Sequence, residues 1–114
     1  MKFLLIITSG PYGSTNSFHA IMLAESILKA NHSLRIFLYG DGVYNALESI
    51  NPANDEFNPL FHLINIHLET KILLCQSASS RRGVSNKNIH NSFEISSLTE
   101  LADIIGNVDR VIRL

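Results

Sequence analysis

Three short apolar runs, each broken off by small and polar residues, set the terms on which this chain can fold. Residues 3–7 and 72–74 are unbroken, and residues 34–39 are interrupted only by Arg35 at their exposed start. Such runs are too brief for buried helices, and they suit strands covered on both faces. A turn or polar stretch follows each: Thr8-Ser9-Gly10-Pro11, Asp41-Gly42, and the residues after Cys75. Helical patterns fill the intervals. Residues 17–30 set Phe18, Ile21, Met22, Ala24 and Leu28 against a polar face with Glu25. Ser14, Thr15 or Asn16 can cap that helix, and Asn31-His32 closes it. A short helix passes through Val43, Tyr44, Ala46 and Leu47. A longer one covers residues 59–68, with Leu60, Leu63, Ile64 and Leu68 on one side. Residues 98–105 carry a stripe of Leu98, Leu101, Ala102 and Ile105 behind a Ser96 or Ser97 cap. Residues 93–95 read as extended. Residues 109–114 form a final strand, which Arg110 and Arg113 mark as an edge.

Strands alternating with helices across short turns specify an α/β fold, a three-layer α/β/α sandwich on a mostly parallel central sheet. At 114 residues the chain makes a single domain, 1–114. In such folds sites gather at the carboxyl ends of the strands, where residues 9–14, residues 40–43 and the segment from Cys75 meet.

Composition excludes several functions. A net charge of −1 leaves no electrostatic footprint for direct nucleic-acid binding. Residues 3–7 superficially resemble a secretory signal, but the run is only five residues and ends in a turn. No stretch approaches membrane-spanning length. His19, His32, His62, His67 and His90 are dispersed, and His62 and His67 lie off the spacing that puts two ligands on one helical face, so no metal is expected. Gly10-x-x-Gly13-Ser14-Thr15 lacks both the lysine of a phosphate loop and the dinucleotide spacing, so no cofactor is expected. No nucleophile-elbow motif is present.

That leaves Cys75, the only cysteine. One cysteine forms no internal disulfide and no Cys-x-x-Cys, and a reducing cytoplasm fits. The apolar run stops at Cys75. Gln76 to Ser80 then lead into Arg81, Arg82 and Gly83, the grammar of one or two helical turns with basic residues last and glycine just past the end. The spacing predicts Cys75 at the carboxyl end of a strand and the amino end of a helix, where unpaired N–H groups favour a thiolate. A cysteine beside three aliphatic residues also fits a small buried hydrophobe. Arg81 and Arg82 would add positive potential, or would simply favour the helix end. Tyr12 and Tyr44 lie in loops that face the cysteine or serve packing.

Five segments carry a family resemblance. They are Thr8-Ser9-Gly10-Pro11-Tyr12-Gly13, then Tyr39-Gly40-Asp41-Gly42-Val43-Tyr44-Asn45-Ala46, then Pro52-Ala53-Asn54-Asp55-Glu56-Phe57, then Cys75 with Arg81-Arg82-Gly83-Val84, and last Asp109-Arg110-Val111-Ile112. In order and spacing the chain resembles, over nearly its full length, the cysteine-bearing subunit of the DsrE-like sulfurtransferases. The resemblance implies a flavodoxin-like topology and a cytoplasmic sulfur carrier serving 2-thiouridine formation at tRNA wobble positions. Cys75 would accept persulfide sulfur from an upstream carrier, TusA, and pass it to a downstream one, TusE. Gly10, Tyr12, Arg81 and Arg82 would neighbour that persulfide. Two shorter subunits of the same fold, TusB and TusC, would complete a dimer of heterotrimers. Residues 85–91, polar and expected to be mobile, form a shorter loop than the family's, which opens the site or alters which partner docks. The competing class is a non-catalytic interaction subunit in which Cys75 is merely buried. A flavodoxin-like nucleotide binder would need the phosphate motif that is absent here.

Overall fold

In the computed structural model, which describes residues 1–114, the apolar runs pair into one five-stranded sheet. The strands are β1 (Lys2–Ile7), β2 (Ser33–Leu38), β3 (Ile72–Cys75), β4 (Phe93–Ser96) and β5 (Arg110–Arg113). Their spatial order is β4-β3-β2-β1-β5, and every pairing is parallel. The helices are α1 (Asn16–Lys29), α2 (Pro59–His67), α3 (Gln76–Arg81) and α4 (Leu98–Ile105). A 3₁₀ helix, Gly40–Ala46, follows β2.

Strand order fixes the layers. From β1 to β4 the chain steps in one direction, then returns across the sheet to β5. Right-handed crossovers therefore lay α1, α2 and α3 on one face and α4 alone on the other. The flavodoxin order 2-1-3-4-5 reverses after its second strand. This chain keeps the α/β class but reverses only after β4.

The α1–α2 face holds the larger core. Leu5, Ile7, Ile36, Leu38, Ile72 and Leu74 are buried from the sheet, Ala20, Ile21, Ala24 and Ile27 from α1, and Leu63 and Ile66 from α2. Against expectation, Phe18 lies outside this stripe, 39% exposed, and small Ser17 and Ala20 take the close-packed positions. Leu68 likewise falls just past the end of α2, largely out in solvent. Local signals set the ends. Asn58 accepts a hydrogen bond from Phe61 N to cap α2, with Pro59 next to it, and Ser97 accepts from Glu100 N to cap α4. None of the expected hydroxyl caps closes α1; Ser14 Oγ accepts from Asn16 N within the loop instead. Asn31 closes α1 in the left-handed region, φ 62°.

Two expectations fail for physical reasons. In the predicted stripe of α4, Leu101 is half-buried and Leu98, Ala102 and Ile105 are exposed, while Ile104 is the buried residue. A single helix with no helical neighbour beds on one narrow line, so its flanks stay out. Residues 85–91 are not a free loop. Ile89 enters the core and bridges to Leu47. Glu48 N donates to Asn88 O and His90 N to Ala46 O, while Asn88 Nδ2 donates to Gly83 O. One aliphatic side chain and a row of satisfied backbone groups pin the segment.

Gly42 is where the fold leaves no room. A Cβ there would lie 2.0 Å from the carbonyl oxygen of Ile7, so the 3₁₀ helix presses directly on the end of β1. Gly42→Ala is expected to cost at least about 3 kcal/mol, above the usual range for overpacking because backbone rather than a side chain must move. At Gly106 the nearest atom would be 3.6 Å away, so Gly106→Ala should stay within about 0.5 kcal/mol. Urea midpoints of the two variants test this, and equal midpoints would refute the close approach.

Candidate functional site

All four residues of β3 are buried, and the strand ends where the chain turns into α3. Cys75 takes the N-cap position with extended backbone, φ −65° and ψ 124°, and its side chain makes no capping bond. The expected placement, strand end and helix start, is met. Cys75 as a residue is 2% exposed.

Strand alternation sets its direction. Leu74 packs towards α1 and α2, so Cys75 turns to the face that α4 covers. Its register partner there is Ser96, whose hydroxyl donates to the Glu100 carboxylate in the first turn of α4. On the other side stands Tyr39, which follows Leu38, the partner of Leu74. Tyr39 also walls a groove of about 240 Å³ together with Ile6, Leu98, Leu101 and Arg113.

The three strand-end loops meet as expected, through residues whose roles were not foreseen. Asn45 is fully buried at their junction. Its Nδ2 donates to Ser9 O and to Gly42 O, both at 2.9 Å, and its Oδ1 accepts from Ser17 Oγ at 2.8 Å. One amide thus ties the first loop, the 3₁₀ helix and the start of α1. Asp41 Oδ1 accepts from Arg82 Nε at 2.8 Å, and Arg82 also donates to Ala78 O. The sequence signal was present: a lone amide within Val43, Tyr44, Ala46 and Leu47 has no reason to be apolar-packed unless it is bonded.

The expected neighbours of Cys75 divide. Gly10 lies against the 3₁₀ helix, where a Cβ would stand 3.7 Å from Asp41 O. Arg82 reaches the same place through Asp41. Arg81 is exposed and forms no ion pair. Tyr12 is engaged elsewhere: its hydroxyl donates to Phe57 O at 2.9 Å. Partial burial, and then the Glu56 carboxylate, raise its ionisation above the ordinary tyrosine range. Tyr44 is half-buried as packing against the core. No three His, Cys, Asp or Glu side chains come together as a metal site requires. No helix is long and apolar enough to cross a membrane.

The model of the DsrE/DsrF-like family matches residues 1–114. Sulfurtransferase TusD of Buchnera aphidicola from Acyrthosiphon pisum (strain APS) is 37% identical over an aligned length of 127, covering 99% of each chain. A sulfurtransferase TusD homolog from Haemophilus influenzae is 35% identical over 126 positions, covering 100% of each. Both alignments are longer than this chain, so these relatives carry segments that it lacks. Among solved structures, the YchN protein of E. coli superposes with a TM-score of 0.88 at 28% identity over the whole of both chains.

Asn45→Ala should cost about 2–4 kcal/mol, since it empties a buried site and strands the Ser17 hydroxyl and two carbonyls. Asp41→Asn, at an ion pair whose carboxylate is largely solvated, should cost less than about 1 kcal/mol. Chemical denaturation separates the two, and a silent Asn45→Ala would refute the role of Asn45 as the junction.

Proposed function

Because the chain belongs to the DsrE/DsrF-like family, we propose that it is a sulfurtransferase whose Cys75 carries sulfur as a persulfide. The observation that carries this reading is the position of the sole cysteine, at the carboxyl end of a central strand where three loops converge.

The chemistry needs one thiol. The Cys75 thiolate attacks the outer sulfur of a donor persulfide, a new S–S bond forms at Sγ, and the donor leaves as its own thiolate. The acceptor's thiolate then attacks the same outer sulfur and Cys75 is regenerated. Sulfur changes hands without net oxidation, so no cofactor enters, and the exchange follows the rules of thiol–disulfide chemistry. Arg82 is already committed to Asp41, so its part is to hold the loops together. Arg81, unpaired, is the arginine left to meet an anionic partner. In this reading the carrier works in the cytoplasm, in the relay to tRNA wobble-uridine 2-thiolation. TusA is the donor, TusE the acceptor, and TusB and TusC are its companions in a dimer of heterotrimers.

One observation favours a second reading. Cys75 is buried within the core cluster, as a structural cysteine would be, which fits a non-catalytic subunit of such a complex.

Intact-mass analysis after exposure to a persulfide-loaded donor separates the two. The relay predicts one added sulfur, lost on reduction, and a loss of loading by at least about 100-fold in Cys75→Ser, as expected when a covalent nucleophile is removed. No added sulfur on the folded protein with its partner subunits present would leave the structural reading.

A further inference from the structure

A second surface at the pole that holds Cys75 is built for contact. In an all-parallel sheet the crossover helices run against the strands, so α1 and α2 both begin at the carboxyl pole. Their first turns and the loop before α2 carry an aromatic cluster. Phe18 meets Phe57 edge-on at 4.8 Å between ring centroids, and Phe57 stacks on His62 at 4.7 Å with 22° between planes. Phe61 continues the row at 5.8 Å from His62. Glu25 holds His62 by a 3.0 Å contact to Nδ1, and Tyr12 holds Phe57 through its backbone. Yet Tyr12, Phe18 and Phe61 remain 44%, 39% and 62% exposed. Fixed rings left in water are the composition of a contact surface.

Charge tells what it contacts. No Lys or Arg occurs between Lys2 and Lys29, or between Arg35 and Lys71. The second interval carries Asp41, Glu48, Asp55, Glu56 and Glu69. Asp41 is matched by Arg82, but Asp55 and Glu56, in the loop leading to Phe57, are exposed and form no ion pair. Aromatic faces rimmed by carboxylates suit arginine and lysine, which stack on the rings and pair with the acids.

We infer that Tyr12, Phe18, Phe57 and Phe61, with Asp55 and Glu56, form a landing platform for a basic surface of the protein that exchanges sulfur with Cys75. The inference rests on the sulfur-carrier reading. A standard interface of about 800 Å² per partner is roughly 30 Å across, comparable with the molecule's own extents of 36 × 30 × 24 Å, so one partner can span the carboxyl pole from Cys75 on the α4 side of the sheet to the starts of α1 and α2 on the other.

The test uses the full chain and two synthetic peptides. One is Gly-Arg-Phe-Arg-Cys-Arg and the other its glutamate analogue, each also made with serine in place of cysteine. In NMR titrations, the serine form of the basic peptide should shift the resonances of Tyr12, Phe18, Phe57 and Phe61. Binding should weaken at least about 10-fold on moving from low salt to about 0.3 M, as screened surface charge requires. Glu56→Lys combined with Phe61→Ser should abolish it. As persulfides, the basic peptide should load Cys75 about 10-fold faster than its analogue, a preference typical of electrostatic steering that the double variant should lose. Glutathione persulfide should load both proteins equally. Absence of salt-sensitive shifts at these rings, or a peptide preference unchanged in the double variant, overturns the platform even where glutathione persulfide loads Cys75. Binding at the rings with no loading from any persulfide would uphold the platform's affinity for basic surfaces and sink the sulfur-carrier reading.

Discussion

Everything at the carboxyl pole depends on how closely the 3₁₀ helix approaches the end of β1. Gly42 has no side chain because the carbonyl of Ile7 occupies the space one would need. That approach brings Asn45 within reach of Ser9 O and Ser17 Oγ, so one amide satisfies donors and acceptors from three segments in a place water does not enter. It also sets Asp41 where Arg82, two turns past Cys75, can reach it. The cysteine is thus positioned by contacts made two loops away. Its own side chain contributes no hydrogen bond to the arrangement.

The sheet is covered unequally, and this follows from strand order alone. Three crossovers in one direction load one face with helices, and the single return from β4 to β5 gives the other face only α4. Eight residues cannot blanket five strands. The centre of that face is nevertheless dry: Leu4, Phe37 and Leu73 are all fully buried there, with Phe37 beside Leu73. Towards the edges cover gives out, and Val111 and Leu98 are half in solvent. Cys75 belongs to this thinner side, under the beginning of α4.

The layered architecture was legible because a parallel sheet writes itself as unbroken apolar runs, and each of the three central strands lay where such a run was found. Cys75 at the junction of β3 and α3 was legible for the same reason. What composition could not reveal was which flank of an amphipathic helix turns inward. Phe18 looked like core, yet the space beside the 3₁₀ helix accepts only Ser17 and Ala20, and the ring is pushed out to meet Phe57. Leu98 and Ile105 failed as core residues because periodicity describes a helix and not its neighbours, and α4 has none. The polar segment after Gly83 looked free because most of its anchors are backbone groups, which have no sequence signature; only Ile89 hinted at it. Asp41 and Arg82 lie 41 residues apart, so no local pattern could pair them.

On the proposed sulfur-carrier reading, the burial of Cys75 has a use. Persulfide sulfur is readily taken by any thiol that reaches it, and reactivity of a sulfur centre depends on access as much as on ionisation. A carrier exposed to solvent would lose its cargo to free thiols in a reducing compartment. Burial would slow that loss and pass much of the selection to docking, because a partner that settles against the pole brings its thiol close for longer than a free thiol does. Specificity then lies in surfaces that never touch sulfur. The bonded loops around Cys75 and the exposed rings at the same pole are, on this view, two halves of one requirement, because a site that small thiols reach slowly favours a partner with a separate place to land.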